Sequence, residues 1–377
     1  MWCRIFLFIH KNKNRSSPTF ASVMTQTSSS NKAVANWLLF GVFMLIVQIL
    51  LGGITRLTGS GLSITEWDVV TGTLPPLNDS KWLEEFAKYK ATPQYQLLNT
   101  DFTVSDFKFI FFWEWFHRLW ARVMGMVFAV GFIYFLVRRY FKQEMIKPLL
   151  ILFLLGALQG AVGWIMVASG LVGDAVYVKP TRLALHFILA MGLLCYTFWF
   201  ALQLRVKKEQ VTHNKSIHSF TMWLLVLLVV QLMFGALMAG HKAATTAPSW
   251  PMINTEWIPA ALFRDSPLLI NFIENKITIH FVHRGLAYLL TALIIVWYYK
   301  SAKVTGSDLF RATRFLPLFF VVLQVLLGIA SVLTSPQIIP NRWGLFEWMA
   351  QLHQLVGMFL LLSFIWVQYL VRRNQSA

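Results

Sequence analysis

The sequence predicts an all-α integral membrane protein with eight transmembrane helices, arranged as two tandem-duplicated four-helix bundles. Hydrophobic residues make up 57% of the 377 positions and charged residues only 13%, which would leave a soluble globule with far more apolar surface than it could bury. The apolar residues form long runs, and four histidines recur within those runs at matched spacing. Composition therefore assigns the class, the runs assign the helix count, and the histidines indicate the duplication.

A helix needs about 20 apolar residues to cross a hydrocarbon layer of about 30 Å. Eight runs approach or exceed this length, and most are bounded by polar residues or by proline and glycine. The predicted spans are residues 36–53, 109–137, 148–169, 181–204, 217–240, 276–299, 315–335 and 344–371.

The eight spans divide the chain into two halves of four helices. Residues 36–205 form the N-terminal half, 206–216 a cytoplasmic linker, and 217–373 the C-terminal half. Residues 1–35 form a basic, Ser/Thr-rich tail, for which a cytoplasmic tail, a mitochondrial presequence and a later true start at Met24 are all open interpretations.

Positive charge predicts the orientation of the chain. The formal net charge is +17, but the basic residues are not clustered on one soluble face, so nucleic acid is not an expected partner. They concentrate instead in the short loops 138–147, 205–216 and 300–314 and near both termini. By the positive-inside rule these parts face the cytoplasm of a bacterium, with the mitochondrial matrix as the alternative. The protein is accordingly expected in the bacterial inner membrane, or else in the mitochondrial inner membrane.

Four histidines lie within the apolar runs in two matched pairs. His117 and His186 are 69 residues apart, and His283 and His353 are 70 residues apart. All four fall near the outer ends of even-numbered helices, roughly 8–13 Å into the membrane. A repeated Gln-x-x-x-Gly pattern marks the odd-numbered helices, where glycine allows either the close approach of a flat cofactor or backbone, or ordinary helix packing. The four copies are Gln48/Gly52, Gln159/Gly163, Gln231/Gly235 and Gln324/Gly328.

A pair of neutral imidazoles on two helices of one bundle can complete the axial positions of a heme iron. A single membrane histidine can instead bond a neighbouring carbonyl, but four at equal depth favour metal ligation. Zinc or copper is disfavoured, because a closed site needs further ligands that the sequence does not supply. We therefore predict His117, His186, His283 and His353 as axial ligands of heme iron.

The two halves differ three residues before the first histidine of each pair. Glu114 precedes His117, whereas His280 precedes His283. A buried carboxylate could exchange protons with a bound substrate, although it could also form a purely structural ion pair with Arg118 one turn later. Arginines near the outer face could neutralise heme propionates or contact lipid phosphates. The candidates are Arg56, Arg118, Arg122 and Arg284.

Several motifs together resemble those of the heme A synthase family, in the branch shared by mitochondria and many Gram-negative bacteria. They are the run Gly52-Gly53-Ile54-Thr55-Arg56-Leu57-Thr58-Gly59-Ser60-Gly61-Leu62-Ser63, the pair Pro75-Pro76, the residues Trp82, Glu85, Phe86 and Tyr89, the pair Phe107-Lys108, and the run Glu114-Trp115-Phe116-His117-Arg118. The resemblance covers about residues 36 to 371. Some Gram-positive relatives carry a cysteine pair in their outer loops, and the two long outer loops of this sequence contain no cysteine.

The resemblance implies an integral membrane oxidoreductase that converts the C8 methyl group of heme O to the formyl group of heme A by successive hydroxylations. It places heme O or heme A at His117 and His186, gives Glu114 a catalytic role, and places a heme B that relays electrons at His283 and His353. The partners it implies are the lipid bilayer, heme O synthase and oxidase assembly factors, with a homo-oligomer also possible.

Other interpretations stay open at this point. A quinol-linked diheme b-type electron-transfer protein would use the same histidines but would not need Glu114, and a heme carrier would need the pocket without the relay. In the outer loop 54–108, the spacing of Trp82, Phe86 and Tyr89 predicts an amphipathic helix. That helix could cap a substrate pocket or serve only as an interfacial anchor.

Overall fold

The computed structural model describes residues 20–66, 73–339 and 342–372, with side chains from residue 29 onward. Helices dominate this part of the chain. Their bounds are α1 (Phe20–Leu57), α2 (Asp79–Lys90), α3 (Pro93–Leu98), α4 (Val104–Val137), α5 (Gln143–Ala168), α6 (Pro180–Arg205), α7 (Lys215–Gly240), α8 (Lys276–Ala302), α9 (Asp308–Thr313), α10 (Leu316–Thr334) and α11 (Leu345–Leu370).

Eight helical segments in the described residues are long and apolar enough to cross a membrane, which confirms the predicted class and helix count. They are α1 from Ser29, α4, α5, α6, α7, α8, the continuous segment Asp308–Gln337, and α11. Most extend a few residues beyond the predicted spans, because capping residues lie in the polar flanks rather than in the apolar runs. The predicted tail 1–35 overlaps α1, and its first 19 residues lie outside the described part.

Local sequence signals explain where several helices begin. A capping box starts α4: the backbone N–H and hydroxyl of Thr103 both donate to the carboxylate of Asp106, and the backbone N–H of Asp106 donates to the Thr103 hydroxyl. Asn214 caps α7 by accepting from the backbone of Ile217 at 2.9 Å. Pro180 occupies the first turn of α6, where its missing N–H costs no hydrogen bond.

Helices α1, α6, α7 and α11 form the centre of the bundle, since α6 packs against both α1 and α7, and α11 contacts all three. In the N-terminal half α1 packs against α4 and α5 against α6, and in the C-terminal half α7 packs against α8 and α10 against α11. The same pairs of helices therefore pack in both halves. The tandem duplication and its division into two four-helix bundles stay predictions.

Two of the basic loops, 205–216 and 300–314, lie together with the end of α11. Within the predicted linker, β1 (Thr212–His213) pairs in parallel with β2 (Val371–Arg372) at the end of α11. The hydroxyl of Ser307, from the loop after α8, donates to the carbonyl of Gln210 at 2.7 Å. The linker is thus an ordered junction between the ends of α6, α8 and α11.

Candidate functional site

A cavity of about 920 Å³ runs between the helices of both halves. All five predicted site residues line its wall: Glu114, His117, His186, His283 and His353. The structure therefore brings both histidine pairs and the carboxylate to one continuous space.

Each of the four histidines lies against the glycine of an odd-numbered span. A methyl group at Gly52 or Gly235 would lie 3.2 Å from Cε1 of His117 or His283, respectively. At Gly163 the distance to Cε1 of His186 would be 2.8 Å, and at Gly328 the distance to Cε1 of His353 would be 2.9 Å. The repeated glycine thus provides space for an imidazole ring.

The repeated glutamine contacts the same ring. Nε2 of Gln48 lies 3.3 and 3.2 Å from the two ring nitrogens of His117, and Nε2 of Gln159 lies 3.2 and 3.3 Å from those of His186. Because each amide is nearly equidistant from both nitrogens, it does not lie in line with either lone pair. In these two pairs the amide contacts the ring without lying in the direction in which a metal would bind. In the Gln324/His353 pair, Nε2 of Gln324 lies 3.2 Å from Nε2 of His353.

Three of these glutamines also donate to the backbone carbonyl of their histidine, which fixes the amide orientation. The distances are 3.3 Å from Gln48, 3.1 Å from Gln159 and 3.0 Å from Gln231. Exchanging the amide oxygen and nitrogen would place two oxygens face to face. In the fourth pair, Nδ1 of His353 instead lies 3.0 Å from the carbonyl oxygen of Gln324, so Nδ1 carries the proton and donates it.

The spacing of the C-terminal pair fits one metal atom between two imidazoles. The ring centroids of His283 and His353 are 6.4 Å apart, with an angle of 74° between the ring planes. Two imidazole–metal bonds of about 2.0–2.1 Å each, together with the distance from each centroid to its nitrogen, add up to roughly this separation. Among the described residues no group of three or more histidine, cysteine or acidic side chains could hold a bare ion. Two imidazoles at this separation are a donor set that could serve as axial ligands of a heme iron.

Glu114 is buried, with 2% of its surface exposed. Its Oε2 accepts from the backbone and hydroxyl of Ser63 at 2.8 and 2.7 Å and from the backbone of Ile64 at 2.9 Å. Its Oε1 pairs with Arg118 at 2.5 Å. The ion pair considered from the sequence is present, and the carboxylate also lines the cavity. Ser63 is a partner that the sequence interpretation missed, although it lies in the Gly-Ser-Gly-Leu-Ser run.

Two of the candidate arginines, Arg118 and Arg284, donate to backbone carbonyls. Arg118 bonds the carbonyls of Ile64 and Glu66 at 3.2 Å each, and Arg284 bonds those of Ala247 and Met252 at 2.9 and 3.2 Å. Arg118 therefore secures the loop between α1 and α4, and Arg284 secures the loop between α7 and α8.

Three further candidate side chains, Arg56, Arg122 and His280, also line the cavity. Arg56 joins the halves by donating through Nε to the carbonyl of Ala239 at 3.0 Å. Arg122 lines the cavity. His280, in the position that corresponds to Glu114, is fully buried and also lines the cavity.

The predicted amphipathic helix is confirmed as α2. Its apolar side packs on α4, with the rings of Phe86 and Tyr89 stacked 5.2 and 5.3 Å from that of Phe107. On the polar side, Lys88 donates a hydrogen bond to the carboxylate of Glu85 at 2.9 Å, and this bond is the largest cause that raises the pKa of Lys88 above its ordinary value. Helix α2 is thus packed onto α4 through a cluster of aromatic residues.

Helix α2 is tied to the cavity wall through Gln94. Tyr89 donates to Gln94 at 3.1 Å. Gln94, which lines the cavity, donates to the carbonyls of Gly59 and Val176 at 3.3 Å each. Burial raises the pKa of Tyr89 to about 12, so its hydroxyl keeps the proton for this bond.

The sequence is similar to those of several known proteins. A heme A synthase of Flavobacterium johnsoniae is 40% identical over 335 residues, which is 88% of this chain and 95% of that protein. A heme A synthase of Paracoccus denitrificans is 40% identical over 80% of each chain, and one of Bartonella henselae is 36% identical over 90% of this chain and 93% of its own. The family model described as cytochrome oxidase assembly protein matches residues 35–365. The chain therefore belongs to the cytochrome oxidase assembly protein family that includes these heme A synthases.

Proposed function

We propose that this chain is a heme A synthase, a membrane oxidoreductase that converts the C8 methyl group of heme O to the formyl group of heme A. The observation that carries the proposal is a cavity lined by both histidine pairs and by the buried carboxylate of Glu114, which lies three residues before His117. Family membership supports the same reaction.

The reaction replaces two C–H bonds of the methyl group by a C=O bond. With water as the oxygen source, the methyl group and one water give the formyl group, four protons and four electrons. A site for this chemistry must accept protons next to the substrate and pass electrons away from it. The N-terminal half offers the first capability and the C-terminal half the second.

We assign heme O to the site between His117 and His186, with Glu114 as the group that accepts protons. Three hydrogen bonds to its Oε2 and the ion pair between its Oε1 and the guanidinium of Arg118 hold the carboxylate in place. Oε1 has a single protein partner among the described residues and keeps acceptor capacity toward the cavity. Ser63 and Ile64 orient the carboxylate, and Arg118 balances its charge when the proton leaves.

We assign heme B to His283 and His353, where the separation of the two rings suits axial ligation. When bound there, heme B supplies a one-electron carrier between the substrate site and an external acceptor. Gln231 and the carbonyl of Gln324 would keep the two rings in a fixed orientation. His280 offers no carboxylate at this site, in keeping with electron storage rather than proton transfer.

The location, the partners and the origin of the chain complete the proposal. We place the protein in a bacterial inner membrane with both termini in the cytoplasm, because the basic loops that gather around β1 and β2 are expected on that side. Heme O synthase is the expected source of substrate, and oxidase assembly factors are expected to receive the product. The matching helix pairs in the two halves support an origin by tandem duplication.

Heme analysis tests the function directly. The chain is co-expressed with a source of heme O, and the hemes extracted from the purified protein and from the membranes are identified by mass. Heme A or its hydroxylated precursor is the expected product. Heme B alone would overturn the synthase assignment and favour a diheme electron-transfer protein, whereas unchanged heme O would favour a carrier.

A further inference from the structure

Two cationic residues from different halves meet at the outer end of the cavity. The backbone N–H of Lys242, just after α7, donates to the carbonyl of Ala239 at 3.2 Å. Arg56, at the end of α1, donates to the same oxygen at 3.0 Å. Because one carbonyl accepts from both residues, Lys242 and Arg56 are neighbours, and both line the cavity.

Lys242 has a backbone conformation that is unfavourable for a lysine. Its φ of 50° and ψ of 41° lie in the left-handed region, directly after the C-cap His241 of α7. Glycine is the usual residue at this position, since a Cβ there costs conformational energy. Strained residues of this kind concentrate at ligand sites.

The ammonium group of Lys242 lies against an aromatic face. Its Nζ is 3.6 Å from the centroid of the Tyr177 ring, which also lines the cavity. Among the described residues, the ammonium of Lys242 contacts this ring and no carboxylate. By contrast, Arg56, Arg118 and Arg284 direct donors to backbone carbonyls.

We propose that Lys242, with Arg56 beside it, binds a carboxylate of the tetrapyrrole held in the cavity, that is, a porphyrin propionate. This inference rests on the proposed function only in requiring that a porphyrin occupies the cavity. The two cations repel each other, and Glu347 offsets this repulsion at Arg56. A charge-assisted hydrogen bond to a carboxylate would satisfy the ammonium of Lys242. Burial, and secondarily Arg56, lower the pKa of Lys242 to about 8.

The test compares two porphyrins that differ only in the carboxylates. Hemin and hemin dimethyl ester are titrated into the full-length protein in phosphatidylcholine nanodiscs, and binding is followed by absorbance. With Lys242→Gln we expect hemin to bind about tenfold more weakly and the ester to bind as it does to the unmodified protein. Equal losses for both porphyrins, or no loss for either, would overturn the proposal.

Two further variants separate charge from folding. Lys242→Arg keeps the cation and is expected to keep most of the preference for hemin over its ester. Lys242→Gly relieves the left-handed strain, so it is expected to fold at least as stably while losing the preference. Lys276→Gln is the matched control, because Lys276 is an exposed lysine at the start of α8 away from the cavity.

An anionic lipid is the other source of a negatively charged oxygen. Adding phosphatidylglycerol to the nanodiscs should leave hemin binding to the unmodified protein unchanged. If phosphatidylglycerol competes with hemin in the unmodified protein but not in Lys242→Gln, the site holds a lipid phosphate and the proposal is wrong. Porphyrin binding is measured without turnover, so a failure here is distinct from a failure to produce heme A.

Discussion

Gly328 lies against the imidazole of His353, so that a methyl group at Gly328 would come 2.9 Å from Cε1 of the ring. The equivalent distance from Gly235 to His283 is 3.2 Å. The same glycine-to-histidine contact recurs at all four predicted ligands, and it gives the first prediction.

Gly328→Ala should displace the His353 ring and weaken heme B binding. Overpacking costs about 1–3 kcal/mol, which corresponds to a loss of affinity on the order of tenfold. Gly235→Ala should have a smaller effect, because its methyl group would be farther from the ring. The measurement is the heme B content and absorbance spectrum of each purified variant.

Gly192→Ala is the control for these substitutions, since nothing lies within 4 Å of a methyl group at Gly192 in α6. It should leave the spectrum unchanged and slightly stabilise the helix. Equal heme B content in Gly328→Ala and Gly192→Ala would show that the glycine does not determine the ring position.

Glu114→Gln should block heme A formation while leaving the heme B spectrum intact. The amide keeps the shape of the side chain but cannot accept a proton, and loss of a general acid–base group typically costs a factor of about 10²–10⁴ in rate. Product formation is measured by heme extraction and mass. If the variant produced as much heme A as the unmodified protein, Glu114 would have only a structural role.

Ser63→Ala separates proton transfer by Glu114 from the hydrogen bonds that position its carboxylate. It removes one of the three donors to Oε2 and keeps the negative charge. We expect a modest loss of product and a stability loss of about 1 kcal/mol. Glu114→Ala would break the buried pair with Arg118 and lower the stability by about 3–5 kcal/mol, so thermal unfolding must be measured beside product formation.

Hemin affinity should fall as the pH rises through about 8, the value to which burial lowers the pKa of Lys242. Above that pH the neutral amine no longer attracts a carboxylate. The charged or titratable groups around it are Arg56, Tyr177, whose pKa is raised by burial, the adjacent His241, and Glu347, which acts on Arg56. Lys242→Arg stays charged throughout the tested range of about pH 7 to pH 9. Its hemin affinity should therefore stay constant, which would identify Lys242 as the group that titrates.

Unfolding does not account for that loss of affinity. The pKa of Lys242 in the folded protein lies below its ordinary value of 10.5, so between about 8 and 10.5 the folded protein binds fewer protons than the unfolded chain. Lys242 therefore favours folding increasingly as the pH rises through this window. An equal pH dependence in Lys242→Arg would contradict the assignment.

Gly53→Ala should loosen the contact between the halves. In α11, Gln354 donates to the carbonyl of Ile49 in α1 at 3.0 Å. A methyl group at Gly53 would lie 2.9 Å from Nε2 of Gln354 and would also collide with Gln351. Because the two glutamine amides can move away, the expected loss is that of their hydrogen bonds, about 1 kcal/mol, measured as a lower midpoint of thermal unfolding.

Gly41→Ala is the control on the same helix, because its methyl group would make an ordinary contact of 3.9 Å with Thr197. It should unfold at or slightly above the temperature of the unmodified protein. If Gly53→Ala unfolds at the same temperature as Gly41→Ala, the contact between α1 and α11 contributes nothing to stability.

The sequence predicted much of the site because the chemistry is local to each helix. An apolar run long enough to span a membrane can hardly be anything but a helix, and a histidine within such a run is a candidate ligand wherever it lies. The partners of Glu114 were harder to predict. Arg118 is one turn away on the same helix, whereas Ser63 lies 51 residues earlier in a loop whose path depends on how α1 packs against α4.

The sequence by itself determined the membrane class, the eight spans, the four histidines and the difference between Glu114 and His280, since composition and periodicity report hydrophobic burial directly. Only the tertiary structure decided that each glycine of the repeated pattern makes room for an imidazole, that Arg284 holds its own loop, and that Lys242 meets Arg56 across the two halves. These relationships depend on which helices become neighbours and in what register. That outcome is set by the packing of the whole bundle, and no single segment encodes it.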